Sequence, residues 1–151
     1  MIDSVKNGLE IKVLDEQDIP LMKDLKIEGF RQFSLEYLKR FIKTQDTYGF
    51  IAKENNIVVG LCYGHVFRRP DKDSCGFHLS SIGVAEQFQN RGIGSKLLDF
   101  VQNFAFEKLQ CCKCFLSTLK SDAAACHFYE KQGWTSDSDD VLYYINRKIS
   151  T

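Results

Sequence analysis

The hexapeptide Gln89-Asn90-Arg91-Gly92-Ile93-Gly94 is where this sequence most openly offers chemistry. It stands between a strand-like run and an amphipathic helical run. A helix N-terminus presents backbone N–H groups without intrahelical acceptors and the positive end of the helix dipole, so it takes up anions. Two glycines let the backbone approach a phosphate with no Cβ in the way, and Arg91 adds a local positive charge. Read alone, the six residues are equally an ordinary strand-to-helix turn. Other phosphate motifs fail in detail. A Walker A loop requires Gly-Lys followed by Ser or Thr and a further Gly upstream, whereas this chain has Gly94-Ser95-Lys96 with Gln89 upstream. A dinucleotide fingerprint requires a third glycine, and Leu97 stands in its place.

Histidine and cysteine are the other chemical candidates. Period-two alternation puts His78, Ser80, Ile82 and Val84 on one face of a strand. An imidazole titrates near neutral pH and can relay a proton directly or through water, although a lone strand histidine also serves as packing. His65 lies in an apolar strand and reads as packing, and His127 reads as solvent-facing. The cluster Cys111-Cys112-Lys113-Cys114 invites a metal, but structural zinc takes two ligand pairs of defined spacing. The other close pair, Cys126-His127, would diverge on a helix, so reduced thiols and no metal are expected.

These residues need elements to hold them. Leu9–Leu14 alternates as a half-buried strand. Asp18 is placed to cap a helix carrying Ile19, Met22, Leu25 and Phe30, with Pro20 in its first turn. Ser34 opens a second helix ending near Lys43. Tyr48–Lys53 and Ile57–Phe67 form a hairpin through Glu54-Asn55-Asn56, and Phe77–Val84 is the next strand. A helix from Gly92 to about Lys108 puts Ile93, Leu97, Val101, Phe104 and Ala105 on one face. Lys113–Leu119 reads as a strand, Asp122–Gln132 as a helix stopped by Gly133, and Val141–Arg147 as a final strand. The order β-α-α-β-β-β-α-β-α-β is an α/β (α+β) mixed sheet with helices on its faces.

Composition narrows the function. With 151 residues and neither linker nor repeat, residues 1–151 are expected to form a single domain, and twelve Phe supply its core. Twenty basic residues balance twenty acidic ones, so the basic footprint of a nucleic-acid binder is missing. No run is long and apolar enough for a membrane span, and no leader is evident at Met1–Gly8; a soluble, cytoplasmic protein is expected.

Two blocks together carry a resemblance. Ile82-Gly83-Val84, a four-residue spacer and Gln89-Asn90-Arg91-Gly92-Ile93-Gly94 resemble the acyl-CoA signature of the GNAT superfamily of N-acetyltransferases. The run Asp122-Ala123-Ala124-Ala125-Cys126-His127-Phe128-Tyr129, continuing through Gly133-Trp134, resembles that superfamily's helix of Ala, then Tyr, then Gly and an aromatic. Two positions depart from the pattern: Asp122 where Asn is common, and Trp134 where Phe is usual. The general layout is also similar to the aminoglycoside 3-N-acetyltransferase-like branch.

The resemblance implies a GNAT-type acyl-CoA N-acyltransferase fold in which two parallel strands, Phe77–Val84 and Lys113–Leu119, splay apart around pantetheine. Acetyl-CoA is then the co-substrate, held at Ile82, Gly83, Val84, Gln89, Asn90, Arg91, Gly92, Ile93, Gly94, Ser95, Asp122 and Ala125. Tyr129 is implied as the acid that protonates the departing thiolate, and His78, matching a Glu or His that relays the amine proton in several relatives, as the base; a water chain is the alternative. A backbone N–H, that of Val84, is implied as the oxyanion donor. The acceptor stays open. Asp71, Asp73, Asp137, Asp139 and Asp140 in two loops would attract a polyamine or aminoglycoside, yet exposed loop acids also serve solubility. A protein or peptide N-acetyltransferase and a catalytically idle acyl-CoA-binding module are the other readings. A homodimer is compatible with all of them.

Overall fold

The computed structural model describes residues 4–6, 8–137 and 139–148. It divides into two compact units, one ending at Ser117 and the other beginning at Thr118. The first holds a six-stranded sheet in the order β1-β2-β3-β4-β5-β6. Its strands are β1 (Ser4–Lys6), β2 (Leu9–Val13), β3 (Thr47–Glu54), β4 (Ile57–Arg68), β5 (Cys75–Val84) and β6 (Lys113–Phe115). All neighbours are antiparallel except β5 and β6, which are parallel. A parallel neighbour needs a crossover, supplied by helix α2 (Ile93–Glu107).

Each face of the sheet has its own core. On one, Phe50 meets the rings of Phe77, Phe100 and Phe104 edge-on at 6.1, 6.2 and 5.3 Å, and α2 buries Ile93, Leu97, Leu98 and Val101. Each such aliphatic side chain contributes about 1.5–3 kcal/mol by leaving water. On the other, Leu14, Ile19, Met22, Leu25, Leu38, Ile51 and Leu61 form one buried cluster. Helix α1 (Leu35–Lys43) covers that face, and its cap is the expected one: Ser34 Oγ accepts from the Tyr37 N–H at 3.3 Å.

Four expectations are corrected. The helix at Asp18 is a single 3-10 segment, Ile19–Asp24, and Asp18 does not cap it through its side chain. That carboxylate is buried and drawn instead to Lys12 Nζ at 2.8 Å and Lys53 Nζ at 3.1 Å. A charge taken out of water needs partners more than a helix end needs a cap, and Phe30 falls in the following loop. The strand expected at Lys113–Leu119 ends at Phe115, where its ladder with β5 ends. Residues 141–147 form no strand, since none of the described residues pairs with them; Leu142, Tyr143 and Ile145 are exposed. A strand exists through its ladder, not through alternation alone.

The fourth correction concerns β5. Tyr63 faces Ser81 while Gly64 faces Leu79, so Ser80 is an extra residue, a β-bulge. A bulge swaps the faces of everything beyond it. His78 therefore shares its face with Ser81 and Gly83, and Ile82 and Val84 fall on the opposite one. A Cβ on Gly83 would lie 2.5 Å from Ile27 Cγ2, which fixes that residue on the α1 side.

The second unit contains helix α3 (Ala123–Lys131). Asp122 caps it, its Oδ1 accepting from the Ala125 N–H at 3.0 Å. Gly133 ends it at φ 89°, with Trp134 N–H donating to Tyr129 O at 3.0 Å and Gly133 N–H to Glu130 O at 3.0 Å. That pattern is the glycine-terminated helix end the sequence predicts. Among the described residues, no helix is long and apolar enough to cross a membrane.

Candidate active site

The parallel pairing of β5 with β6 covers Gly76–Lys113, Phe77–Cys114 and His78–Phe115, then stops, while β5 runs on to Val84. The edge of β5 beyond His78 thus leaves the β6 ladder. The Ala85 N–H turns toward β4, donating to Val59 O at 2.8 Å. Successive groups of an extended chain alternate in direction, so the N–H and C=O of Val84 point to the other edge. Gln89 Nε2 donates to that Val84 carbonyl at 3.0 Å. Its side chain therefore clips the end of β5 to the turn that follows.

The turn itself is built from left-handed residues, Asn90 at φ 62° and Gly92 at φ 78°. Gly92 is the N-cap of α2, and its side-chain-free position leaves that helix start without a side-chain cap among the described residues. A glycine here takes a backbone angle other residues adopt only with strain. It also leaves the first-turn amides of Ile93 and Gly94 unscreened by any capping side chain, on the axis where the helix dipole is positive. The positive charge beside them is already engaged: Arg91 Nη2 lies 2.9 Å from Glu54 Oε2, and its guanidinium stands 5.5 Å above the Phe88 ring.

His78 is half-buried directly opposite His65, with ring centroids 5.0 Å apart, and the Phe115 ring lies 5.1 Å on another side. Ser80 Oγ, on the bulge, is 3.4 Å from His78 Nδ1. Burial, and next the neighbouring His65, hold the His78 imidazole below its ordinary pKa. The neutral, proton-accepting form is favoured. His65, expected as packing, is thus also an electrostatic neighbour of His78. Only the β4–β5 register could reveal this.

In the second unit, Tyr129 on α3 packs its ring 5.2 Å from Phe128 and 6.0 Å from Trp134. Asp122, Ala125 and Tyr129 share this helix and its cap, while the residues from His78 to Ser95 belong to the first unit. The Trp134 indole N–H is buried with no acceptor among the described residues.

The sequence reading missed a cavity of about 430 Å³ against the α1 face of the sheet. Its walls include Phe30, Phe33, Tyr37, Phe41 and Tyr63, and it reaches β5 at Ser81, next to the bulge. Phe30 lies 5.9 Å from Phe33, and Tyr63 meets Phe30 and Phe41 edge-on at 6.3 and 5.7 Å. The spacing of Tyr37 and Phe41, one helical turn apart, with Phe33 just before the helix cap, was the available signal. Among the described residues, Arg31 is the one charged side chain in the lining.

Burial holds the thiols of Cys111 and Cys114 in their protonated form. Cys75 and Cys111 are buried with sulfurs 3.5 Å apart, and burial pushes the Cys111 thiol up to about 12 and Cys114 to about 11. Such groups stay protonated at neutral pH, the form that neither attacks nor ligates. Among the described residues, no group of three or more His, Cys, Asp or Glu is arranged for a metal. In the acidic loops, Asp71 is taken by Arg69, with Nη2–Oδ2 at 2.6 Å.

Comparison with known proteins follows the same geometry. The chain is 24% identical over 120 residues to streptothricin acetyltransferase A of Bacillus subtilis, spanning 76% of this chain and 68% of that one. It is 22% identical over 148 residues to an uncharacterised N-acetyltransferase of Methanocaldococcus jannaschii, spanning 91% of each. Among solved structures, an aminoglycoside acetyltransferase from an uncultured soil metagenomic sample superposes with a TM-score of 0.80 at 25% identity, over 96% of this chain and all (100%) of that one. An aminoglycoside N-acetyltransferase solved with CoA gives a TM-score of 0.75 at 18% identity, over 93% and 95% of the two chains, a likeness of fold. The family model described as acetyltransferase (GNAT) matches residues 17–134, and the chain belongs to that family.

Proposed function

We propose that this chain transfers the acetyl group of acetyl-CoA directly to a primary amine of a small molecule, with both substrates bound together. The observation that carries the reading is the parting of β5 from β6 after His78, followed by an uncapped, glycine-opened helix start. An open strand edge can hydrogen-bond an amide-bearing arm, and the helix amides suit its pyrophosphate. The family match covers residues 17–134 and so includes sequence from both compact units.

Acetyl-CoA supplies an activated acetyl thioester when bound. The chain's residues then divide the work. Ile82 and Val84 turn backbone groups to the open edge for the pantetheine arm, Gly83 between them stays in the β4 ladder opposite Leu61, and the turn from Gln89 through Ser95 receives the pyrophosphate. Gln89 contributes by holding the Val84 carbonyl, and Asn90 by its left-handed bend. Asp122, with Ala125 at its cap, starts the helix that carries Tyr129. His78, neutral at working pH, accepts the proton the amine loses as the C–N bond forms. The Val84 N–H donates to the carbonyl oxygen as negative charge gathers there. Tyr129 gives its proton to the sulfur as the C–S bond breaks.

Streptothricin and aminoglycoside acetyltransferases among the similar proteins support a small-molecule acceptor over a protein. Release of free thiol from acetyl-CoA with a panel of amines tests the activity, and CoA calorimetry on Gly94→Val tests the site. A side chain at Gly94 is expected to weaken CoA binding at least tenfold in a folded chain, roughly the loss of one or two charge-assisted hydrogen bonds. Unchanged affinity would move the pyrophosphate elsewhere.

A further inference from the structure

The cavity against α1 and β4 narrows the acceptor further, and this step rests on the acetyl-transfer reading above. We infer that the acceptor is an amine with one cationic centre and a flat, apolar body, an arylalkylamine, seated among Phe30, Phe33, Phe41 and Tyr63. At about 430 Å³ the cavity is of the size that holds a small ligand. Its rings already meet one another edge-on or tilted at 5.7–6.3 Å, the geometry that also receives an additional ring.

Charge in this lining disfavours a polycation. A polycation such as an aminoglycoside needs carboxylates to replace its hydration, and none of the described lining residues is acidic. Among the described lining residues Arg31 is the sole charge, and it repels further cations. A single ammonium is tolerated on ring faces during encounter and must become neutral to react. The cavity meets β5 at Ser81, on the face that the Ser80 bulge returns to His78, so the rings and the proposed base share one side of the sheet.

The test uses the full chain with 2-phenylethylamine as probe and spermidine and neamine as polycations. Two readouts are taken: kcat/KM by thiol release, and calorimetric binding of each amine to the CoA-loaded chain. Phenylethylamine is expected to exceed both polycations in kcat/KM by at least about tenfold, as a filled aromatic pocket does over an unpaired buried charge. Phe33→Leu and Tyr63→Leu keep apolar volume but remove a ring, and should raise its KM about five- to tenfold while the KM for acetyl-CoA stays put. Arg31→Glu should lower the KM for spermidine. Spermidine or neamine used as well as phenylethylamine by the wild-type chain overturns the inference, and so does phenylethylamine binding that neither Leu variant alters. If no amine is acetylated, the acetyl-transfer reading fails by itself. Calorimetry then still decides the cavity: phenylethylamine binding weakened in both Leu variants sustains the ligand class, and absence of binding overturns it.

Discussion

Arg91 and Glu54 form a two-point ion pair, with Arg91 Nη2 lying 3.1 Å from Oε1 and 2.9 Å from Oε2 of the carboxylate. The pair joins the end of β3 to the turn before α2. It orients the guanidinium and also offsets its charge, at the spot where the proposed function brings a pyrophosphate. Glu54→Gln should therefore tighten CoA binding about two- to fivefold at low salt, the range of one partly exposed ion pair. The gain should fade as ionic strength rises. Arg91→Ala should loosen binding with the opposite salt trend. Calorimetry at two salt concentrations checks both, and a Glu54→Gln variant that binds CoA more weakly would make the pair a structural support of the turn.

Tyr129 is the proposed acid. Losing one proton-transfer group lowers rate by about 10²–10⁴. Tyr129→Phe keeps the ring beside Phe128 and Trp134 and removes only the hydroxyl. Turnover should fall within that range while the Kd for CoA changes little. A turnover near the wild-type value would assign the thiolate's proton to solvent.

The pH profile reports on His78. Its active form is the neutral imidazole, so activity falls as pH falls through its pKa. Burial and His65 hold that pKa down, and the acidic limb of kcat/KM should lie below the ordinary histidine value of about 6.5. His65→Gln removes the second cause, so the limb should move up in pH, with burial still acting. His78→Ala should erase it. A limb that survives His78→Ala unchanged gives the base role to a water chain.

What was legible in the sequence was local. Asn55 and Asn56, at φ 50° and 62°, make the tight hairpin their type suggests, and Gly92 and Gly133 mark a helix start and a helix end. Each signal lies within a few residues of its effect. The bulge at Ser80 was not legible because it is a relation between β4 and β5, set by Gly64 as much as by Ser80. A Cβ on Gly64 would lie 2.2 Å from the His78 carbonyl oxygen and 2.9 Å from the Phe77 ring. The aromatic cavity was hidden for the same reason: its rings come from a loop, α1 and β4, which only the fold assembles. Asp18 misled because its two lysines lie on β2 and β3, out of sight of a helix-capping rule.

Gly64 gives a direct check of that relation. Gly64→Ala must push β5 away from β4 beside His78, and overpacking of this kind costs about 1–3 kcal/mol. Thermal unfolding should show the loss. Activity at a temperature where the variant remains folded should fall as well, because the displaced segment carries His78. Full activity in the folded variant would separate the bulge from catalysis.

The acidic loops supply the final prediction. Asp137, Asp139 and Asp140 are exposed, and the Asp137 carboxylate accepts from the Asp139 N–H at 2.9 Å. Asp71 is neutralised by Arg69. Exposed charges act on a ligand mainly through a field that salt screens within roughly 10 Å. A cavity in which Arg31 is the only charge among the described lining residues gives such a field nothing to hand a polycation on to. Replacing Asp137, Asp139 and Asp140 together by Asn should therefore leave the ratio of kcat/KM for phenylethylamine and spermidine unchanged at 0.15 M salt, one Debye length being about 8 Å there. A selective rise in the KM for spermidine would instead make these carboxylates part of the acceptor site and favour a polycationic substrate.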